Sequence, residues 1–173
     1  AISLVSDGES TLNKHYYRFI EGAAARGIDI AAGTNGEQLK KEHMPMLIDN
    51  LTYLRINMNA ATNEANAKIM GVGPKYWDRV ISNINELVRV KKERNGKLTI
   101  GLQMVLMPEY GDQVLPLAKF GKTLGVDYFL IKHCSDDEAG RIGVDYSWYT
   151  KPESLALLAE AEKESTDAYS VQV

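Results

Sequence analysis

The sequence predicts an α/β fold in which parallel strands alternate with helices, arranged as a partial (β/α) barrel of the TIM type. Three observations predict it. Short apolar runs alternate with longer segments of helical period, helices end on glycine just before strands, and polar side chains occur late in several strands. The 173 residues are interpreted as a single domain, 1–173, and as a slice of a longer chain because both ends lie in strand-like runs.

The alternation is regular along the whole chain. Short β-like runs predict six strands, at 2–6, 28–33, 51–58, 98–107, 127–133 and 168–173. Helical spacing of apolar residues predicts five helices, at 12–26, 37–49, 74–94, 113–124 and 153–165. Gly27 and Gly125 each end a helix directly before a strand, and Asn95-Gly96 ends the longest helix. Such alternation is typical of right-handed βαβ units, which build parallel sheets.

Polar residues near the ends of strands favour a barrel over an open sheet. Asn57 and Asn59 lie on one side at the carboxyl end of the third predicted strand, while Gln103 and Lys132 lie late in the fourth and fifth. A barrel active site collects side chains from the carboxyl ends of several strands. An open doubly wound sheet would concentrate them at one switch point instead.

Composition narrows the class of protein. The net charge of −3 and the pI of about 5.7 lack the basic character of a nucleic-acid binder. No apolar run is long enough to cross a membrane and no signal peptide is visible, so the chain is expected to be cytoplasmic. Cys134 is the single cysteine, which excludes a metal site built from several cysteines of this chain, so no metal ligand is assigned.

Three loops with chemical character follow the first three predicted strands. They are Ser6-Asp7-Gly8-Glu9-Ser10-Thr11-Leu12, Gly33-Thr34-Asn35-Gly36 and Arg55-Ile56-Asn57-Met58-Asn59-Ala60-Ala61-Thr62. In order and spacing they resemble the radical S-adenosylmethionine (SAM) superfamily, whose second, third and fourth strands end in Gly-Gly-Glu-Pro, Thr-Asn-Gly and Ser-Leu-Asp-Ala type sequences. The resemblance covers essentially all 173 residues and implies that the first strand of the barrel is missing.

The resemblance implies that Gly8 and Glu9 hold the amino group of SAM. A glycine turn lets backbone carbonyls approach an amine, and a carboxylate adds a charged hydrogen bond. The alternative is a glycine-stabilised turn in which Glu9 begins a helix near its positive end. Asp7 stands in place of the usual first glycine of the motif, and Ser10 in place of its proline.

The other loops are expected to contact the nucleoside. Asn57 and Asn59 occupy the serine and aspartate positions of the family motif, and an amide can both donate to and accept from ribose hydroxyls. Asn35 either contacts SAM or satisfies its own turn. Gln103 points inward in the expected register and would reach adenine or substrate.

The segment after the fifth predicted strand is dense in functional groups. Lys132 is expected to line the site, and a buried lysine needs a partner, so it should meet a carboxylate or the substrate. Cys134 is a packing thiol, a partner in radical chemistry or a metal ligand. The loop from 138 to 152 is long and reads either as a lid or substrate wall or as an insertion on the barrel rim.

Radical SAM enzymes are oxidoreductases that bind a 4Fe-4S cluster through a Cys-x-x-x-Cys-x-x-Cys loop and generate a 5′-deoxyadenosyl radical that abstracts hydrogen from substrate. The resemblance therefore implies SAM and a 4Fe-4S cluster as cofactors, with cluster ligands outside this chain segment. It also implies an electron donor such as flavodoxin or ferredoxin. The substrate, whether peptide, sugar, nucleoside or another small molecule, is not specified by the sequence.

Two other functions stay open. Lys132 would suit a Schiff-base aldolase of class I type, because a lysine near the end of a late barrel strand can serve as a nucleophile. That hypothesis leaves Glu9 and the asparagines without a role. The other alternative is a cluster-less barrel that acts as a binding module.

Overall fold

The computed structural model describes residues 1–5 and 8–173, which form two compact units. The first unit comprises Ala1–Asn57 and Gly73–Gly101, and the second comprises Met58–Val72 and Leu102–Val173. Ser6, in the first predicted strand, and Asp7, at the altered motif position, lie outside the described residues.

The described residues contain six strands and six α-helices, with one helix between consecutive strands except between β3 and β4, which two helices connect. The strands are β1 (Ile2–Leu4), β2 (Ile30–Thr34), β3 (Tyr53–Asn57), β4 (Thr99–Leu106), β5 (Tyr128–His133) and β6 (Ser170–Gln172). The helices are α1 (Tyr16–Ala24), α2 (Met44–Asn50), α3 (Asn63–Met70), α4 (Pro74–Arg94), α5 (Val114–Leu124) and α6 (Pro152–Glu162). Short 3-10 turns occur at Ser10–Leu12, Lys41–His43, Pro108–Gln113 and Tyr146–Thr150.

The six strands form one parallel sheet in the order β1-β2-β3-β4-β5-β6. In β2 and β3, Gly33 pairs with Arg55, and in β5 and β6, Leu130 pairs with Gln172. Every strand therefore neighbours the next one in sequence, which is the order of a (β/α) barrel and not that of a doubly wound sheet, where the order reverses. The predicted α/β class and partial-barrel strand order are confirmed.

The core of the first unit lies between β2, β3 and helices α1, α2 and α4. Ile30, Leu54 and Ile56 point to the helices and are completely buried, as are Leu47 of α2 and Ile84 of α4. Helix α4 carries its buried residues at helical spacing, which is why its bounds match the prediction. Side chains on the opposite face of β3 alternate with this buried set, and they remain half-buried or exposed.

Asn95 and Gly96, which the sequence predicts together as the end of α4, have different roles in ending the helix. Asn95 takes the left-handed conformation, with φ of 48°, and its N–H bonds back to the helix. Gly96 is needed for a different reason. A Cβ at this position would lie 2.1 Å from Cγ2 of the buried Ile48, so only glycine lets α2 approach the turn.

The core of the second unit lies where α5 and α6 pack with β5 and β6. Phe129 and Leu117 are completely buried. The buried hydroxyl of Tyr169 donates to the carbonyl of Ala118 at 2.7 Å, which fixes the start of β6 to α5. Gly125 ends α5 with φ of 76°, as predicted from its place between helix and strand.

Helix α3 was not predicted. It spans Asn63–Met70, and Asn66 is its one buried residue, so it carries no apolar stripe for a periodicity analysis to find. Its caps are nonetheless regular. The hydroxyl of Thr62 accepts from the N–H of Ala65, and Gly71 ends the helix with φ of 65°.

Candidate functional site

Glu9 joins the loops that follow β1 and β2. Its Oε1 accepts hydrogen bonds from the N–H of Thr11 at 3.1 Å, from the Thr11 hydroxyl at 2.6 Å and from the Thr34 hydroxyl at 2.7 Å. Its Oε2 accepts from the N–H of Asn35 at 2.6 Å. The carboxylate therefore caps the 3-10 turn at Ser10–Leu12 and holds the two loops together.

These contacts keep Glu9 ionised. Partial burial alone would raise the pKa of its carboxyl. The hydrogen bonds from the Thr11 side chain, the Asn35 backbone and Thr34 outweigh burial and hold the pKa below its ordinary value of 4.5. A fixed negative charge thus lies at the carboxyl ends of the first two strands.

Ser10 fastens the same pair of loops. Its hydroxyl donates to the carbonyl of Gly33 at 3.2 Å, a bond that the proline of the family motif cannot make. Gly8 is exposed with φ of +83°, and a Cβ placed there would meet no atom of the described residues within 4 Å. The described residues therefore leave space beside the Gly8 backbone.

The second loop is closed by its own side chains. The Thr34 hydroxyl accepts from the N–H of Gly36 at 3.0 Å, and Oδ1 of Asn35 accepts from the N–H of Glu37 at 2.9 Å. Asn35 thus makes the turn-closing contact that the sequence left open as one of its two roles. The amide of the buried Asn83 on α4 donates to the carbonyls of Gly36 at 2.9 Å and Glu37 at 3.2 Å.

Arg55 is a residue that the sequence-based site assignment missed. It pairs with Gly33 in the β2–β3 register and alternates with the fully buried Leu54 and Ile56. Its Nε is buried and has no hydrogen-bond partner among residues 1–5 and 8–173. An unsatisfied buried donor costs about 1–3 kcal/mol. The sequence signal that could have identified Arg55 was a basic residue on the polar side of an otherwise apolar strand. Asn57 lies exposed on the same side, at the carboxyl end of the strand.

In the second unit, Asn59 contacts strand β4 directly. Its Oδ1 accepts from the N–H of Val105 at 2.9 Å, and its Nδ2 donates to Sδ of Met70 at 3.5 Å. The N–H of Met58 donates to the carbonyl of Gln103 at 2.9 Å, and the Gln103 side chain is buried. Met58 and Asn59 therefore both contact β4 close to Gln103.

Lys132 and Cys134 lie at the carboxyl end of β5. The expectation that Lys132 is buried is wrong, because β5 reaches solvent at its last two residues and both Lys132 and His133 are exposed. Within the described part of the chain, Lys132 has no carboxylate partner. Cys134 is a half-buried free thiol, and its N–H donates to the carbonyl of Leu106 at 2.9 Å.

Lys132 lines a cleft of about 590 Å³ in the second unit. Its walls come from β5, from the 3-10 turn Tyr146–Thr150, from α6 and from the end of the chain. The lining residues include Leu130, Lys132, His133, Tyr146, Tyr149 and Leu158. The segment 138–152 thus supplies two tyrosines to a cavity of the size that binds small molecules.

Comparison with solved structures identifies the fold. SuiB from Streptococcus suis matches 99% of this chain with a TM-score of 0.72 at 16% sequence identity, both alone and bound to S-adenosylmethionine. Archaeal TYW1 matches 94% of this chain with a TM-score of 0.63 at 17% identity. Both are radical SAM enzymes. This chain has the fold of a radical SAM core.

The similarity covers only part of these proteins. The chain spans 39% of SuiB and 49% of TYW1. It spans 98% of a domain of pyruvate-formate lyase-activating enzyme from Bacteroides vulgatus ATCC 8482, which matches 99% of this chain with a TM-score of 0.61 at 11% identity. No protein-family model matches the sequence, and no curated protein matches it.

Two further observations on metal sites and membrane spans apply to residues 1–5 and 8–173, the part of the chain that the structure describes. Among the described residues, no three His, Cys, Asp or Glu side chains are placed to share one metal ion. No helix in those ranges combines the length and apolar character needed to cross a bilayer.

Proposed function

We propose that this chain is the SAM-binding core of a radical SAM enzyme. The observation that carries the proposal is the fold match over 99% of the chain to SuiB, a protein also solved with bound SAM. Fold alone does not fix function. The arrangement of Glu9, Gly8 and Asn35 at the carboxyl ends of β1 and β2 adds support, because barrel enzymes bind their ligands at that end of the strands.

The residues of the first unit fit the amino-acid end of SAM. Oε2 of Glu9 accepts one hydrogen bond from a described residue, and a carboxylate oxygen has room for a second, such as one from an ammonium group. The buried Nε of Arg55 lacks an acceptor among the described residues, and a guanidinium binds a carboxylate through paired hydrogen bonds. An ammonium and a carboxylate are the two charged groups of the methionine moiety.

The remaining roles follow the family resemblance. Gly8 would offer backbone carbonyls to the amine, Asn57 and Asn59 would contact the ribose, and Gln103 would contact adenine or substrate. Bound in this way, SAM would supply radical chemistry: one electron from the donor would break its carbon–sulfur bond, release methionine and leave a 5′-deoxyadenosyl radical for hydrogen abstraction. Lys132 would bind or orient the substrate, and Cys134 would be a partner in radical chemistry, a packing thiol or a metal ligand.

The 4Fe-4S cluster does not fit the residues of this chain. Three thiolates would be required to hold it and leave one iron open to SAM, and the sequence contains one cysteine. We therefore place its ligands outside these 173 residues and derive no step through it. An electron donor such as flavodoxin or ferredoxin belongs to the same proposal. The lone cysteine also supports the alternative of a cluster-less binding module.

Imine chemistry at Lys132 is a second candidate function. The observation that favours it is the structure of TYW1 with a lysine-pyruvate adduct, which matches 94% of this chain with a TM-score of 0.67 at 17% identity. The exposure of Lys132 argues against it, because a Schiff-base lysine is activated by a hydrophobic pocket or by a neighbouring cation.

Direct measurement of SAM binding tests the proposal. Isothermal titration of the 173-residue chain should show saturable binding of SAM. The Arg55→Met variant should bind SAM at least about tenfold more weakly, since a hydrogen bond to a charged group contributes ~1.5–3 kcal/mol. Arg18→Met, at an exposed position of α1, is the matched control and should bind like the wild type.

One outcome would contradict the proposal itself, and another would remove only the role of Arg55. A folded wild-type chain that shows no saturable SAM binding would contradict the SAM-binding core. Equal SAM affinity in the wild type and in a folded Arg55→Met variant would remove Arg55 from the site while leaving the core proposal intact.

A further inference from the structure

The cleft beside Lys132 combines a cationic side chain with an apolar body. Three lysines of the same unit are paired, Lys122 with Glu164, Lys151 with Asp145 and Lys163 with Glu160. Lys132 differs from them, because in the described part of the chain no carboxylate neutralises it. A lysine that lines a cleft without a carboxylate partner is suited to bind the anionic group of a ligand.

The walls of the cleft are mainly apolar. Leu130, Leu158 and Val173 contribute aliphatic surface, and Tyr146 and Tyr149 contribute aromatic rings whose centroids are 6.4 Å apart. The volume of about 590 Å³ lies within the usual range of small-molecule sites, roughly 300–1,000 Å³. The ligand should therefore carry an apolar or aromatic body in addition to its charge.

Tyr149 is held in place before any ligand binds. Its hydroxyl donates to the carbonyl of Leu106 at 2.6 Å and accepts from the N–H of Cys134 at 3.3 Å. Its ring packs edge-on against Trp148 at 5.4 Å and against His133 at 5.8 Å. A wall fixed in this way loses little side-chain entropy when a ligand binds.

The loop that carries Tyr146 is also organised internally. The Asp136 carboxylate accepts from the backbone N–H groups of Ile142 at 3.0 Å, Gly143 at 2.9 Å and Val144 at 3.0 Å. The hydroxyl of Tyr146 accepts from the N–H of Asp136 at 2.6 Å. Among the described residues no acceptor takes the Tyr146 hydroxyl proton, so it is available to a ligand.

We propose that this cleft binds a small molecule with an apolar or aromatic body and one anionic group, with Lys132 and the Tyr146 hydroxyl as partners of the anion. The rings of Tyr146 and Tyr149 and the side chains of Leu130 and Leu158 contact the apolar body. Only the statement that this molecule is the substrate rests on the proposed function. Binding in the cleft is independent of it, because the binding involves neither SAM nor a cluster.

A matched pair of fluorescent probes tests both parts of the site. 8-Anilinonaphthalene-1-sulfonate carries a sulfonate, and N-phenyl-1-naphthylamine has the same apolar body without it. The wild type should bind the anionic probe about three- to tenfold more tightly than the neutral one, since an exposed charge contributes less than a buried one. Amide resonances of Cys134 and Tyr149 should shift on titration, which locates the probe in the cleft.

Three variants separate charge from shape. Lys132→Met should weaken binding of the anionic probe about three- to tenfold and leave the neutral probe unchanged. Tyr146→Ala should weaken both, because it removes an apolar wall. Lys119→Met is the control, since Lys119 is an exposed lysine beside another apolar groove of the second unit, and it should change neither.

Either of two results would overturn the inference. One is equal affinity for the anionic probe in the wild type and in a Lys132→Met variant shown to be folded by its melting curve. The other is amide shifts confined to residues away from the cleft. Failure here would leave the SAM titration unaffected, so the two proposals fail separately.

Discussion

The backbone N–H of Asn35 donates to the carboxylate of Glu9 across 26 positions of sequence, at 2.6 Å. The same carboxylate holds Thr11 and Thr34. One anion therefore sets the relative positions of the loops after β1 and β2. A ligand ammonium at Oε2 would add to this network, so cofactor binding and loop order should depend on the same side chain.

The pH dependence of stability should reveal the charge on Glu9. Its pKa is lowered in the folded protein, so its contribution to stability is complete above the ordinary value of 4.5 and is lost as the pH falls below that value. Thermal melting of the wild type and of Glu9→Gln between neutral and acidic pH measures this contribution. The difference between the two proteins should shrink on acidification. Glu21→Gln, an exposed position on α1, should show no such trend.

Loss of the Glu9 carboxylate should also weaken SAM binding. Glu9→Ala removes a charged hydrogen-bond partner of the amine, which costs ~1.5–3 kcal/mol, or roughly ten- to a hundredfold in affinity. Thr34→Val is the matched control, because it removes one donor to Glu9 and leaves the charge in place. Titration calorimetry should give a much smaller loss for Thr34→Val. Wild-type affinity in a folded Glu9→Ala protein would remove Glu9 from the SAM site.

The second loop depends on the amide of Asn83. Replacement by alanine leaves two carbonyls, those of Gly36 and Glu37, without their side-chain donor in a buried setting. We expect the free energy of unfolding to fall by about 1–3 kcal/mol, measured by urea denaturation. Asn85→Ala, at an exposed position of the same helix, should change it by less than about 0.5 kcal/mol. Equal effects at both positions would contradict a role for Asn83 in holding the loop.

The sequence predicted the order of the sheet because alternation and glycine punctuation are local signals. Helix α4 illustrates this, since its spacing and its Asn95-Gly96 end are both visible in the chain. The reason for Gly96 was not visible, because it depends on the approach of Ile48 from a distant helix. Helix α3 escaped prediction because its signals are its caps at Thr62 and Gly71 and not an apolar stripe.

Only part of the candidate site could be predicted, because local signals are visible in the sequence and contacts between distant residues are not. Glu9 stands out within its own loop, whereas its contact with Thr34 exists only once β1 and β2 lie side by side. The buried Nε of Arg55, which has no acceptor in the part of the chain that the structure describes, likewise depends on the register of β2 and β3 and on the packing around it. The burial expected of Lys132 was wrong because a pattern of residue types does not show where a strand emerges into solvent.

Lys132 should not form an imine. Incubation of the chain with pyruvate followed by borohydride reduction should leave Lys132 unmodified by mass spectrometry, because the exposed amine stays in contact with water and is not desolvated as a Schiff-base lysine is. Lys119, which is also exposed, reports the background of non-specific labelling. A stable adduct that forms at Lys132 in clear excess over Lys119 would favour the aldolase-type function.

Cluster chemistry should require residues beyond these 173. Three thiolates are needed to hold a 4Fe-4S cluster with one iron open, and Cys134 is the one cysteine here. After anaerobic reconstitution, the 173-residue chain should contain iron near background and should not cleave SAM on reduction with dithionite. The complete product of the gene that encodes these residues should bind an oxygen-sensitive cluster and release 5′-deoxyadenosine. If that folded product neither holds iron nor cleaves SAM, the cluster-less binding module becomes the better account of the fold.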